Sequence, residues 1–151
     1  MNKLRLLLSL ALMGIMFVAC ENGHNNNLPN NPNNSKCFEG TMTVDQNDGT
    51  FYTQNDVQVD YEILDGKLNF VMYKVKFASG MPVKLDMVVE GADYIEDNGL
   101  ITISGNGIVP YAMGGPFEKF TITNLHGEVN GNSMTLSFIC GDYPVEYQGT
   151  K

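Results

Sequence analysis

Val57-Gln58-Val59-Asp60-Tyr61-Glu62-Ile63-Leu64-Asp65-Gly66-Lys67-Leu68-Asn69-Phe70-Val71-Met72-Tyr73 decides how this chain folds. Over its first seven residues, apolar and polar side chains alternate with period two. That is the pattern of a strand with one face in a core and the other in water. Asp65-Gly66 then supplies two residues that tolerate positive φ, as a two-residue hairpin demands. The return strand from Leu68 to Tyr73 is apolar on both faces, and its phase changes midway. A bulge within it, or a cover over it, is expected there.

The same period extends in both directions. Before this hairpin, Phe38, Gly40, Met42 and Val44 alternate with Glu39, Thr41, Thr43 and Asp45, and Asn47-Asp48-Gly49 marks a turn. After it, Val83, Leu85, Met87 and Val89 alternate with Lys84, Asp86 and Glu90, and Asn98-Gly99 turns into a short strand over 100–103. Residues 105–116 hold Gly, Pro, Tyr111 and Met113 and read as a loop or lid. Strand character resumes over 120–129. Asn130-Gly131 turns it into 134–140, and Gly141-Asp142 leads to Tyr143, Val145 and Tyr147. No amphipathic helix of useful length interrupts this series.

About eight short strands joined mainly by tight turns predict an all-β, antiparallel up-and-down barrel, since closure removes the exposed edges of an open sheet. Eight strands enclose a space that side chains can fill, or that can hold one small ligand. A membrane barrel would face its apolar residues toward lipid between aromatic girdles. Short strands, many acids and no recurring girdle favour a barrel with its apolar face inside.

The N-terminus has a separate logic. Lys3 and Arg5 precede an apolar run from Leu6 to Val18, and Ala19-Cys20 closes it. This is the layout of a secretory leader, too short to span a membrane as a helix. Phe17-Val18-Ala19-Cys20 also resembles a bacterial lipobox, which implies that Cys20 becomes the lipidated first residue of the mature protein. The organisation expected is a signal peptide over 1–19, a lipidated cysteine with an Asn-rich disordered linker over 20–36, and a barrel over 37–151. Several acyl chains on one cysteine anchor durably, so the expected location is the cell envelope, at the outer membrane.

Without Lys3 and Arg5 the nine basic residues fall to seven, against 17 acidic ones, a net charge of −10. Such a surface repels phosphate backbones, and nucleic acid is excluded as a partner. Beyond Cys20 the chain holds Cys37 and Cys140. An oxidising compartment permits a disulfide between them, stabilising by roughly 4–5 kcal/mol. Alternation, however, sets Cys37 opposite the face of Phe38 and Met42, while Cys140 continues the apolar face of Met134, Leu136 and Phe138. A bridge would need a bulge or a frayed start to the first strand.

The barrel region resembles the calycin-like β-barrel domain of secreted lipoproteins from gut-dwelling Gram-negative bacteria. Phe38-Glu39-Gly40-Thr41-Met42-Thr43-Val44 at its opening and Tyr147-Gln148-Gly149-Thr150-Lys151 at its close carry the likeness. The segment Gly127-Glu128-Val129-Asn130-Gly131-Asn132-Ser133-Met134-Thr135-Leu136 and the strand end Ile103-Ser104-Gly105 add to it. The resemblance implies a lipocalin-like barrel and brings no established activity. Wider calycins often open with Gly-x-Trp; this chain has Gly40-Thr41-Met42 and no Trp. No ligand residue is therefore carried over from lipocalins or avidins.

Chemistry-bearing constellations are sparse. His126 and Glu128 share a strand face, but no nucleophile or oxyanion donor accompanies them, and an enzyme is not expected. Asp45-Gln46-Asn47-Asp48-Gly49 lacks the spacing and distal Glu of a calcium loop. Gly105-Asn106-Gly107 precedes no helix that could cradle phosphate. Zinc and haem ligand sets are missing, so no metal or cofactor is expected. The interior offers more. Phe70, Met72, Met87, Phe120, Leu136 and Phe138 are large or adaptable side chains that could line a pocket for a small apolar ligand, with 111–117 gating its mouth. The alternative is a filled core, with the outer face or loops binding an envelope protein or glycan through Phe51, Tyr52, Tyr94 and Tyr143.

Overall fold

The computed structural model describes residues 36–151; the leader, Cys20 and most of the linker lie outside them. The chain forms β1 (Lys36–Asp45), β2 (Phe51–Leu64), β3 (Lys67–Val75), β4 (Leu85–Asp97) and β5 (Leu100–Gly105). A small hairpin, β6 (Tyr111–Ala112) and β7 (Gly115–Pro116), and a 3-10 turn (Glu118–Phe120) follow. The last three strands are β8 (Ile122–Asn130), β9 (Ser133–Cys140) and β10 (Tyr143–Thr150). Each long strand pairs antiparallel with its neighbour in sequence; β3–β4 and β1–β10 pairing complete the ring. Eight strands thus make a closed, up-and-down barrel, consistent with a calycin-like fold.

Period two places the apolar residues inside, as the hairpin of β2 and β3 predicted. Val57, Val59 and Tyr61 face the core from β2, and Leu68, Phe70 and Met72 face it from β3. The bulge expected for β3 is present. The register slips between Met72 and Val75, where Lys74 takes φ +51°. On the outer face, Val71, Tyr73 and Val88 form a small second apolar cluster. Val83 departs from expectation: β4 begins at Leu85, and Val83 stands exposed in the preceding loop.

Cys140 is a free, buried thiol, so the Cys37–Cys140 bridge does not form. The ladder explains why. Cys37 pairs with Asp60 at the start of β1, whereas Cys140 pairs with Tyr143, whose neighbours lie beyond Val44 at the other end of β1. Some seven residues of strand separate the two positions, about 20 Å or more at ~3.3 Å per residue, far outside disulfide reach. The Cys140 thiol instead points at the Phe120 carbonyl, 3.7 Å away.

An up-and-down barrel has two unlike ends. At one, the described chain starts at Lys36 and closes at Lys151, and the turns over 65–66, 98–99 and 131–132 have two residues each. At the other stand the longer connections 46–50, 76–84 and 106–121, with the short turn 141–142. The former is called the turn end and the latter the loop end.

Candidate functional site

The six residues expected to line a pocket are brought together, but as packing. Phe70, Met72, Met87, Phe120, Leu136 and Phe138 are all 5% exposed or less and belong to one continuous core cluster. Three inward glycines show how tightly the interior is fitted. Gly40 pairs with Gly149 across β1 and β10, and a Cβ on Gly40 would overlap the Gln148 carbonyl. A Cβ on Gly149 would overlap the Tyr147 hydroxyl, and one on Gly127 would press on Leu136 at 2.7 Å. The Tyr147 side chain passes over these bare strands to donate a hydrogen bond to the Val57 carbonyl on β2, 3.2 Å away. Burial raises the Tyr147 phenol well above its ordinary pKa, so it stays a donor.

Each end is closed by aromatic rings. At the turn end, Phe38 stacks on Tyr61 at 6.1 Å and carries the Lys151 ammonium 5.0 Å from its ring centre. Beneath the loops, Phe77 and Phe117 meet Phe120 at 5.2 and 4.9 Å. Segment 111–117, read as a gate, is a fixed hairpin: Tyr111 pairs with Val88 of β4, and the Phe117 amide donates to the Pro110 carbonyl at 2.8 Å.

The loops themselves are tied into a ring. Gln46 donates through Nε2 to the Phe77 carbonyl at 3.2 Å and accepts from the Ser79 amide at 3.4 Å. Asn47 Nδ2 donates to the Asp142 carbonyl at 2.7 Å, and the Gly141 amide donates to the Thr121 carbonyl at 3.0 Å. Loops 46–50, 76–84, 141–142 and 106–121 therefore hold one another in place. Asp45 and Asp48, weighed as calcium ligands, instead bind the Asn47 and Thr50 amides at 2.8 and 2.9 Å. Thr50 also lowers the Asp48 carboxyl pKa through its hydroxyl and amide.

On this ring stand most of the barrel's exposed apolar side chains. Phe51, Val83, Val109, Tyr111 and Met113 all lie at the loop end; of the large exposed hydrophobics among the described residues, only Ile95 lies elsewhere. Tyr52, Tyr94 and Tyr143, expected to be exposed, are half-buried against the core, and of that aromatic group Phe51 alone projects, at 67% exposure. Sequence reasoning missed Val83, Val109 and Met113. Alternation assigned Val83 to a strand, and nothing local shows which residues of a Gly- and Pro-rich loop face outward.

Other polar loci differ in character. His126 and Glu128 are exposed on the outer face of β8. On the outer side of β2 and β3, Asp60, Glu62 and Asn69 are buried beside the small apolar cluster. Burial raises the carboxyl pKa of both Asp60 and Glu62. Two open hollows of 530 and 430 Å³ flank β1 on the outer wall, lined by polar residues such as Glu39, Thr41, Asn55 and Gln148. Among the described residues, no group of three or more His, Cys, Asp or Glu is placed to hold a metal ion.

No family model, no curated protein and no solved structure matches this chain.

Proposed function

We propose that this protein is a lipid-anchored display module of the bacterial cell envelope, non-enzymatic, whose loop end docks an apolar surface of another envelope protein. The gathering of Phe51, Val83, Val109, Tyr111 and Met113 on one hydrogen-bonded ring of loops carries this reading. Exposed apolar residues scattered singly need no explanation, whereas a shared location marks an interaction surface. Loops already held in place lose little further freedom on binding. Aliphatic and thioether groups outnumber aromatic ones there, which favours a protein over a glycan, because sugars dock by stacking on rings.

The lipobox-like Phe17-Val18-Ala19-Cys20 supports anchoring at Cys20, to the outer membrane. Barrel topology adds a direction. The chain enters β1 at the turn end, so a tether from Cys20 meets the barrel opposite the loops. Kinship with calycin-like lipoproteins of gut-dwelling bacteria rests on the Gly40 and Gly149 motifs and on the barrel itself. The barrel form is also compatible with a small apolar ligand inside, but the close packing of Phe70, Met72 and Leu136 favours a filled core.

The test uses the lipidated chain in bacterial envelopes, carrying Phe51→Asp with Met113→Asp, or Ile95→Asp alone. Cross-linking and purification should recover a complex of fixed composition from the parent and from Ile95→Asp, and lose it from the double variant. Retention of the complex by the double variant, or its loss from Ile95→Asp, would refute docking at the loop end. Binding to a glycan panel that the double variant abolishes would replace the protein partner with a glycan.

A further inference from the structure

We infer that Met113 is the site at which peroxide-class oxidants modify this protein, and that its sulfoxide turns the loop end from apolar to polar. The chemistry concerns Met113 alone; the consequence for a partner rests on the docking function proposed above.

The described methionines occupy three environments. Met42, Met72, Met87 and Met134 are 1% exposed or less inside the barrel. Met81 is half-buried, and its sulfur accepts the Phe77 amide hydrogen at 3.1 Å, which occupies a lone pair. Met113 is 76% exposed, more than any other large hydrophobic residue described. Its exposure is structural. Met113 and Gly114 form the turn of the β6–β7 hairpin with φ of +54° and +85°, flanked by the Tyr111–Pro116 and Ala112–Gly115 pairs. Left-handed backbone is unfavourable for a side chain like methionine's, and asparagine or glycine suits such turns better. The hairpin holds this thioether in solvent, and its pairing to Val88 anchors it to the barrel wall.

Thioether oxidation requires a sulfur lone pair to reach the peroxide oxygen. The lone pair forms the new S–O bond while the O–O bond breaks. One hydroxyl oxygen is transferred and gives up its proton, and the other oxygen takes up a proton, through solvent, to leave as water from hydrogen peroxide or as an alcohol from an organic hydroperoxide. Sulfur loses two electrons and the peroxide gains them. The product replaces a polarizable apolar tip with a strong hydrogen-bond acceptor, which resists burial against an apolar partner.

The experiment treats the folded, mature protein with hydrogen peroxide, quantifies each methionine by peptide mass spectrometry over time, and measures retention on a phenyl column. Met113 sulfoxide should form at least tenfold faster than sulfoxide at Met42, Met72, Met87 or Met134, and retention should fall in step with it. A Met113→Leu variant should keep its retention through the same treatment. Equal oxidation rates across these methionines, or unchanged retention once Met113 is fully oxidised, would overturn the inference. The docking function fails separately. If peroxide acts as stated while Phe51→Asp with Met113→Asp still holds the partner, only the docking function is lost.

Discussion

Gly40 and Gly149 face one another in the first and last strands; the β10 backbone closes on the bare Gly40, and the Tyr147 ring and hydroxyl fill the space that the missing side chain of Gly149 leaves. Both glycines stood in the opening and closing motifs, yet alternation alone made Tyr147 one more inward strand residue. Its reach to Val57 depends on strand order around the ring, which no local pattern encodes. Tyr147→Phe should lower stability by about 1 kcal/mol through loss of one buried hydrogen bond. Gly149→Ala should cost about 1–3 kcal/mol, because the added methyl meets the Tyr147 hydroxyl. Urea unfolding of both variants checks the order. Asp60 gives a residue-scale pH dependence. Burial raises its folded-state pKa above 3.8, partly offset by the Tyr73 hydroxyl donating to it at 3.2 Å. Between those two pKa values the folded state holds more protons than the unfolded one. Stability should therefore fall as pH rises through that window and level off above it. Asp60→Asn should flatten the slope in urea midpoints measured from about pH 3 to 7.

Strands and tight turns were the legible elements, because both follow from local rules. Asp65-Gly66 and Asn98-Gly99 form two-residue turns with φ of +52° and +73°, and +50° and +82°. Asn130-Gly131 is displaced by one residue, with the turn over Gly131 and Asn132. Asp48-Gly49 sits in a longer connection, 46–50, in which Asn47 donates to the Asp142 carbonyl. Segment 106–121 was the least legible. Its hairpin exists through pairing with β4, a partner far away in sequence, so composition could show only a loop. Gln46 binds loop 46–50 to loop 76–84 through both ends of its amide. Gln46→Ala should lower hydrogen-exchange protection of the Ser79 amide about fivefold to tenfold, the equivalent of one hydrogen bond. Strand amides in β9 should keep theirs, because no contact of Gln46 supports them.

For the whole molecule, closure was readable from strand count and turn spacing, while the unlike character of the two ends was not. That asymmetry emerges only when strands are laid alternately up and down, which collects three long connections on one side. If Cys20 carries the lipid, Cys20→Ser should move the protein from the membrane to the soluble fraction without changing the melting temperature of the barrel. The packed interior and the docking surface proposed at the loop end make opposite demands on the methionines: Met72, Met87 and Met134 lie inside, and Met113 lies on the loops. Methyl NMR of the mature protein labelled at methionine, titrated with detergent-solubilised envelope extract, reads all of them at once. The expected result is a shifted or broadened Met113 signal, with Met72, Met87 and Met134 unmoved. Shifts at those three interior methyls with Met113 unchanged would mean that the barrel opens to a ligand, contradicting a solid core that works through its loops.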